Sequence, residues 1–243
     1  MARKIYRTNF KGGAGVTSCC AGLGFALAEA GERTLVFDGD SRCASGMETG
    51  GVANMQTYTL ADYEAGTCRA KQTIVSHPRC GNLSFCCSLN MKDENAAKRA
   101  ADELDGLFDY ILFDKICLDR CDGAIVVTEP FVASLKCSDA CKAFLTDNGI
   151  KDVGLIVNKL NGGQIINGEV MTAQEISTLL RIPLTAVIPE DLSMPLGKWK
   201  KSTFKAFKIA ADNITGKRQA VLNVLNPYFG IGGFIKRKAR ARM

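Results

Sequence analysis

Lys11-Gly12-Gly13-Ala14-Gly15-Val16-Thr17-Ser18 sets three glycines within four residues, between an apolar run and a helix pattern. A turn of that composition lets backbone N–H groups converge on an anion, and the helix end adds favourable partial positive charge. Phosphate is the anion such a cradle suits. Thr17 stands where a hydroxyl ligates Mg2+. Carboxylates follow two other apolar runs, Asp38 and Asp40 after one and Asp114 at the end of another, and Asn158 closes a third. Each of these also has an ordinary structural reading. A strand-end aspartate caps the next turn, and an asparagine there is a turn residue.

Short apolar runs rich in β-branched and aromatic residues recur at 33–38, 82–87, 108–114, 123–128, 152–158 and 184–188. Helix patterns lie between them. One runs over 17–30 and stops at Gly31; others cover 94–105 and 134–147. Thr172-Ala173-Gln174-Glu175 is a capping box that opens a helix ending before Pro183. Nearly continuous apolar strands alternating with helices predict an α/β fold, a doubly wound, mostly parallel sheet covered on both faces. Ligands of such sheets bind at the carboxyl ends of the strands, where the loop and the carboxylates lie. The expected organisation is one nucleotide-binding domain over 1–215, then a C-terminal helix and a basic amphipathic tail over 216–243. Arg7 is anomalous, a charge in what should be a central buried strand.

Hydrophobic residues make up 47% of the 243 and charged residues 23%, which excludes a disordered chain. The N-terminus lacks the apolar core of a secretory signal, so the chain is expected in the cytoplasm. Five of the 31 Lys/Arg lie in residues 236–243, leaving 26 against 25 Asp/Glu in the rest. A nearly neutral body with a basic tail argues against nucleic acid and for one local contact with a negative surface. In that tail Ile231, Phe234 and Ile235 recur at helical spacing just before Lys236, Arg237 and Lys238. That is the composition of an interfacial membrane anchor. Eleven cysteines in a chain without a secretory signal are read as reduced thiols packed in the core. A metal or cluster at Cys117 and Cys121 is the alternative.

Lys11-Gly12-Gly13-Ala14-Gly15 with Thr17 resembles the deviant Walker A motif of the MinD/ParA family of P-loop ATPases. The likeness continues in order through Gly22 to Ala28, Thr34 to Asp40, Thr59 to Asp62, 108–114, 124–130, 155–159 and 182–191. Membership would imply ATP/ADP and Mg2+ as cofactors and an ATP-dependent homodimer. Lys11 would reach the partner's phosphates, and Gly12, Gly13, Ala14, Gly15, Val16, Thr17 and Ser18 would form the phosphate loop. Asp40 would help position the attacking water, and Thr17, Asp38 and Asp114 would serve the metal. Asn158, Pro189 and Glu190 would contact adenine. The tail would sit on the anionic inner face of the cell membrane, and a protein partner would be positioned there.

Two departures bear on that reading. The family's phosphate-loop lysine falls on Val16, and the glycine opening the loop falls on Phe10. Charge-assisted hydrogen bonds contribute about 1.5–3 kcal/mol, so losing that lysine should weaken nucleotide binding roughly tenfold to a hundredfold. After Asp114 the chain passes through Cys117 and Cys121 straight into the next strand, with no room for a helix. Two readings follow: a nucleotide-dependent dimer serving division-site placement, or a catalytically inactive scaffold for localisation in division or pilus assembly.

Overall fold

The computed structural model describes residues 1–229. Eight strands form a single sheet: β1 (Arg3–Thr8), β2 (Thr34–Asp38), β3 (Val75–Ser76), β4 (Leu83–Cys87), β5 (Tyr110–Asp114), β6 (Gly123–Thr128), β7 (Val153–Leu160) and β8 (Leu184–Pro189). Their order is β3-β4-β2-β5-β1-β6-β7-β8. Every pair is parallel except β3 on β4. The α-helices are α1 (Val16–Glu29), α2 (Ser45–Gly50), α3 (Leu60–Glu64), α4 (Glu94–Leu104), α5 (Val132–Asp147), α6 (Gly162–Ile166), α7 (Ala173–Leu180) and α8 (Lys201–Ile214).

Alternation along the strands divides the core in two. Tyr6, Phe37, Phe113, Val126 and Val157 face one layer with α4, α5 and α7. Ile5, Val36, Leu112, Ile125 and Ile156 face the other, with α1, α2 and α8. Arg7, Asp38 and Asp114 each lie two residues beyond one of the second set, so period-two geometry puts them on the α1 face. The expected doubly wound architecture is therefore present, with helices on both faces.

Helix ends follow their sequence signals. Asp93 caps α4 through the Asn95 amide at 2.9 Å. Thr172 and Glu175 form the reciprocal capping box of α7. Gly216, in the left-handed region at φ 93°, follows the end of α8. The helix expected after residue 215 does not form within the described residues. Between 216 and 229 there is only a 3-10 turn at Asn226–Tyr228, where Asn223, Asn226 and Pro227 favour turns over helix. Val224 and Tyr228 instead pack onto Gly162, where a Cβ would lie 2.3 Å from the Val224 carbonyl oxygen.

Between β5 and β6 the chain crosses β1 in eight residues with only a 3-10 turn, Leu118–Arg120. Lys115 and Cys117 adopt φ of 62° and 58° to make the crossing. All eleven cysteines are free thiols. Cys19, Cys20, Cys86, Cys87, Cys117 and Cys141 are buried. Burial pushes Cys19, Cys20 and Cys117 up to about 12. Cys117 is thus a buried thiol, and among the described residues of the single chain no group of three or more His, Cys, Asp or Glu is placed to hold a metal.

Candidate nucleotide-binding site

The loop between β1 and α1 ends on Gly15, which caps α1 in the left-handed region at φ 84° with no side-chain cap. A Cβ there would meet Asn158 Nδ2 at 2.3 Å, so conformation and close approach both require glycine. The first turn of a helix leaves backbone N–H groups without intrahelical acceptors, and α1 begins directly at the end of this loop. The loop is pinned from outside. Asn9 accepts from the Lys11 amide at 2.7 Å, and its amide donates to the Val127 carbonyl at 2.6 Å. From β7, Asn158 Nδ2 donates to the Ala14 carbonyl at 2.9 Å. Lys159 Nζ donates to the Gly13 carbonyl at 2.6 Å. Phe10 turns outward onto Phe144, with ring centroids 5.6 Å apart.

Glu129, at the end of β6, is buried and holds two ammonium groups, those of Lys11 and Lys159 at 2.7 Å. Burial opposes its charge, but both lysines outweigh that and its pKa is lowered. Neither Glu129 nor Lys159 stood out in the sequence as a site residue. Their grouping depends on strands 30 residues apart meeting at one edge.

The carboxylates divide by partner. Thr17 Oγ1 donates to Asp114 Oδ2 at 2.6 Å, while Asp114 Oδ1 is buried without a partner among the described residues. Asp38 is fully committed: Oδ1 accepts from the Asp40 amide at 3.0 Å, and Oδ2 from Gly46 and Met47 at 2.7 and 3.2 Å. It caps the start of α2. Burial nevertheless pushes its carboxyl up to about 6, and burial also raises Asp114. Asp40 shapes the turn before α2. Burial opposes its charge, but the Ser45 hydroxyl and the Arg42 and Cys43 amides outweigh that and lower its pKa.

A divalent cation needs free oxygen ligands. Thr17 and the orphaned Asp114 oxygen offer them beside the loop, whereas both Asp38 oxygens already accept backbone amides. Glu190 accepts from Asn161 Nδ2 at 2.9 Å and with Pro189 lines a cleft of about 480 Å³ closed by 222–228. Ile231, Phe234, Ile235, Lys236, Arg237 and Lys238 lie outside the described residues.

Buried polar atoms are almost always paired in folded proteins. Among the described residues, the buried side-chain atoms without partners are Arg7 Nε and Nη1, Asp114 Oδ1 and Asn158 Oδ1. Asp114 and Asn158 bond loop residues directly, and Arg7 lies beside Asp114 in the sheet register. The CobQ/CobB/MinD/ParA nucleotide binding domain matches residues 5–197. The chain belongs to this family. A putative septum site-determining protein MinD from Oltmannsiellopsis viridis is 31% identical over 253 residues, covering 93% of this chain and 79% of that protein. The fold matches MinD in the MinC:MinD cell division protein complex of Aquifex aeolicus, with TM-score 0.82, 21% identity, and 91% and 99% of the two chains covered. It also matches Pyrococcus horikoshii MinD complexed with Mg-ADP, with TM-score 0.78, 24% identity, and 89% and 97% covered.

Proposed function

We propose that this chain is a MinD-like nucleotide switch whose loop, residues 11–18, binds ATP and ADP. The observation that carries the reading is that Asp114 and Asn158, each bonded to a loop residue, keep buried oxygens without partners among the described residues. A relative of the same fold is complexed with Mg-ADP. In this reading Thr17 and Asp114 hold magnesium, which screens the phosphates. The α1 amides and Gly12 to Gly15 bind the phosphate oxygens. Asn158 holds the loop in shape and, with Pro189 and Glu190, borders the base. Asp38 supports the metal site indirectly through α2, and Asp40 stands next to it for water.

Val16 brings no ammonium group to the phosphates, so turnover is slow compared with loops that carry a lysine there. Titration calorimetry with Mg-ATP and Mg-ADP, with phosphate release measured on the same sample, tests this. Binding with slow release is expected. Absence of binding at millimolar nucleotide overturns the reading, and binding with no release at all selects the inactive scaffold.

Nucleotide-driven dimerisation, membrane contact and partner positioning complete the proposal. Lys11, now held by Glu129, is free to exchange that carboxylate for a partner's phosphates. No helix among the described residues is long and apolar enough to cross a membrane; the membrane contact proposed is surface attachment through the tail. Basic residues contribute about 1 kcal/mol each near anionic lipid, and each buried apolar side chain roughly 1.5–3 kcal/mol. One tail therefore binds reversibly, and the paired tails of a dimer bind through avidity. The complex of a MinD with MinC supports a division-site protein as the partner. Cosedimentation with anionic vesicles should be nucleotide-dependent for the full chain and lost in a chain ending at Pro227.

A further inference from the structure

Arg7 is fully buried in a central strand. Its Nη2 donates to the Cys20 thiol at 2.5 Å, while Nε and Nη1 have no partner among the described residues. The register pairs Arg7 with Asp114 on β5, and Asp114 with Asp38 on β2. Three charged side chains thus form a row across three adjacent strands, acid, acid and base, on the face covered by α1. Strands lie about 4.8 Å apart, so each of the three backbone positions is one spacing from the next, while the guanidinium itself turns to Cys20.

The other titratable groups acting on this row are the thiols of Cys19, Cys20 and Cys87, whose pKa values burial raises, with Asp40 and Lys115 beside Asp114. Lys4, the other buried cation among the described residues, points to the opposite face and bonds Asp105. Arg7 is therefore the one buried cation beside the two buried carboxylates, while the exposed Lys115 also favours the charge of Asp114 from the loop, and arginine does not lose its proton in proteins. Two neighbouring buried carboxylates cannot both ionise without a counter-charge. Phosphates arriving above them would add to that repulsion.

We propose that Arg7 is the resident counter-cation of this acid row, so that the loop above it binds nucleotide with little dependence on a divalent metal. The inference rests on the nucleotide reading given above and extends it. Arg7 does not reach the phosphates, being buried beneath α1; it is a positioning residue acting through Asp114. It supplies from below part of the positive charge that Val16 does not supply from the loop.

The test is calorimetric titration of the full chain with ADP, once in magnesium and once in EDTA. The affinities should agree within about threefold. Arg7→Lys, which keeps the charge, should preserve that ratio. Arg7→Met should lose about tenfold or more in EDTA relative to magnesium. The ratio is the decisive readout, because a merely structural arginine would weaken both titrations together. Unmodified protein that binds only with magnesium overturns the proposal, and needs no variant to fold. An Arg7→Met chain with an unchanged ratio overturns it as well. Absence of binding in both buffers overturns the nucleotide reading itself, and this proposal with it.

Discussion

At the amino ends of the strands, Asp105 accepts from the Ala2 amide at 2.9 Å and pairs with Lys4 at 3.3 Å. Asp122 accepts from the Lys4 amide, Asp152 pairs with Arg3, and Asp109 takes three bonds from Arg33. At the carboxyl ends of the same strands, Arg7, Asp114 and Asn158 keep buried polar atoms without partners. Both edges are rich in aspartate. What separates them is satisfaction: a closed set of hydrogen bonds contributes to folding, while an open set costs stability unless a ligand completes it. Substitutions at the first edge should therefore change stability alone, and those at the second should change ligand affinity.

The largest effect is expected at Gly15. Gly15→Ala forces a side chain into the left-handed region, at about 1–2 kcal/mol, and drives its Cβ against the Asn158 amide. Nucleotide affinity should fall about a hundredfold or more, with a smaller loss in denaturant stability. If affinity survives, the loop is not the phosphate site.

Next comes the pH dependence of Asp38. Its folded pKa lies at about 6, above the ordinary value, so the folded chain holds a proton there that the unfolded chain releases. Stability from this group is lowest above pH 6 and rises as pH falls toward 4. The full swing is about 3 kcal/mol. Measured against Asp38→Asn, which does not titrate, the unmodified chain should gain stability over that window. A flat difference would mean the carboxyl is not isolated from solvent.

Asp105 provides the contrast. Burial opposes its charge, but the Ala2 amide and Lys4 outweigh that and lower its pKa, the reverse of Asp38. Asp105→Ala should cost about 2 kcal/mol of stability, measured by denaturant unfolding. Nucleotide affinity should not change. A shift in affinity would show that the two edges are coupled.

Legibility in the sequence followed the same division between local and assembled features. Six of the seven long strands, β2 and β4 to β8, could be read because each is a short β-branched or aromatic run, and α1, α4, α5 and α7 because their stops or caps are local. Helices α2, α3 and α6 span only five or six residues and gave no period to detect, although Thr59 and Asp62 do form a capping box. Strand β3 has two residues and is held only by β4. The loop was legible because it is contiguous. The Glu129 carboxylate with its two lysines was not, since residues 11, 129 and 159 meet only when β1, β6 and β7 align. Arg7 could be seen to be misplaced, but its acid row appears only in the register.

The smallest effect is expected at Val16, where the chain lacks a lysine. Val16 is 3% exposed and packs in the α1-side core with residues such as Cys19 and Cys20. Val16→Lys must carry an ammonium group out of that apolar shell, and burying its stem in a packed site adds strain. At the loop mouth it meets Lys11 and Lys159, which share the single charge of Glu129. Beneath it lies Arg7, which under the counter-cation proposal already offsets Asp114 and Asp38. The gain in nucleotide affinity should therefore stay below about tenfold, short of the upper range for a charge-assisted bond. In an Arg7→Met background the same substitution should gain several-fold more, because the new charge then acts on an acid row without its cation. A double-mutant cycle on ADP affinity measures that coupling directly. Equal gains in the two backgrounds would show that Arg7 and residue 16 do not share an electrostatic role, and would leave the closed and open edges distinguished by hydrogen bonding alone.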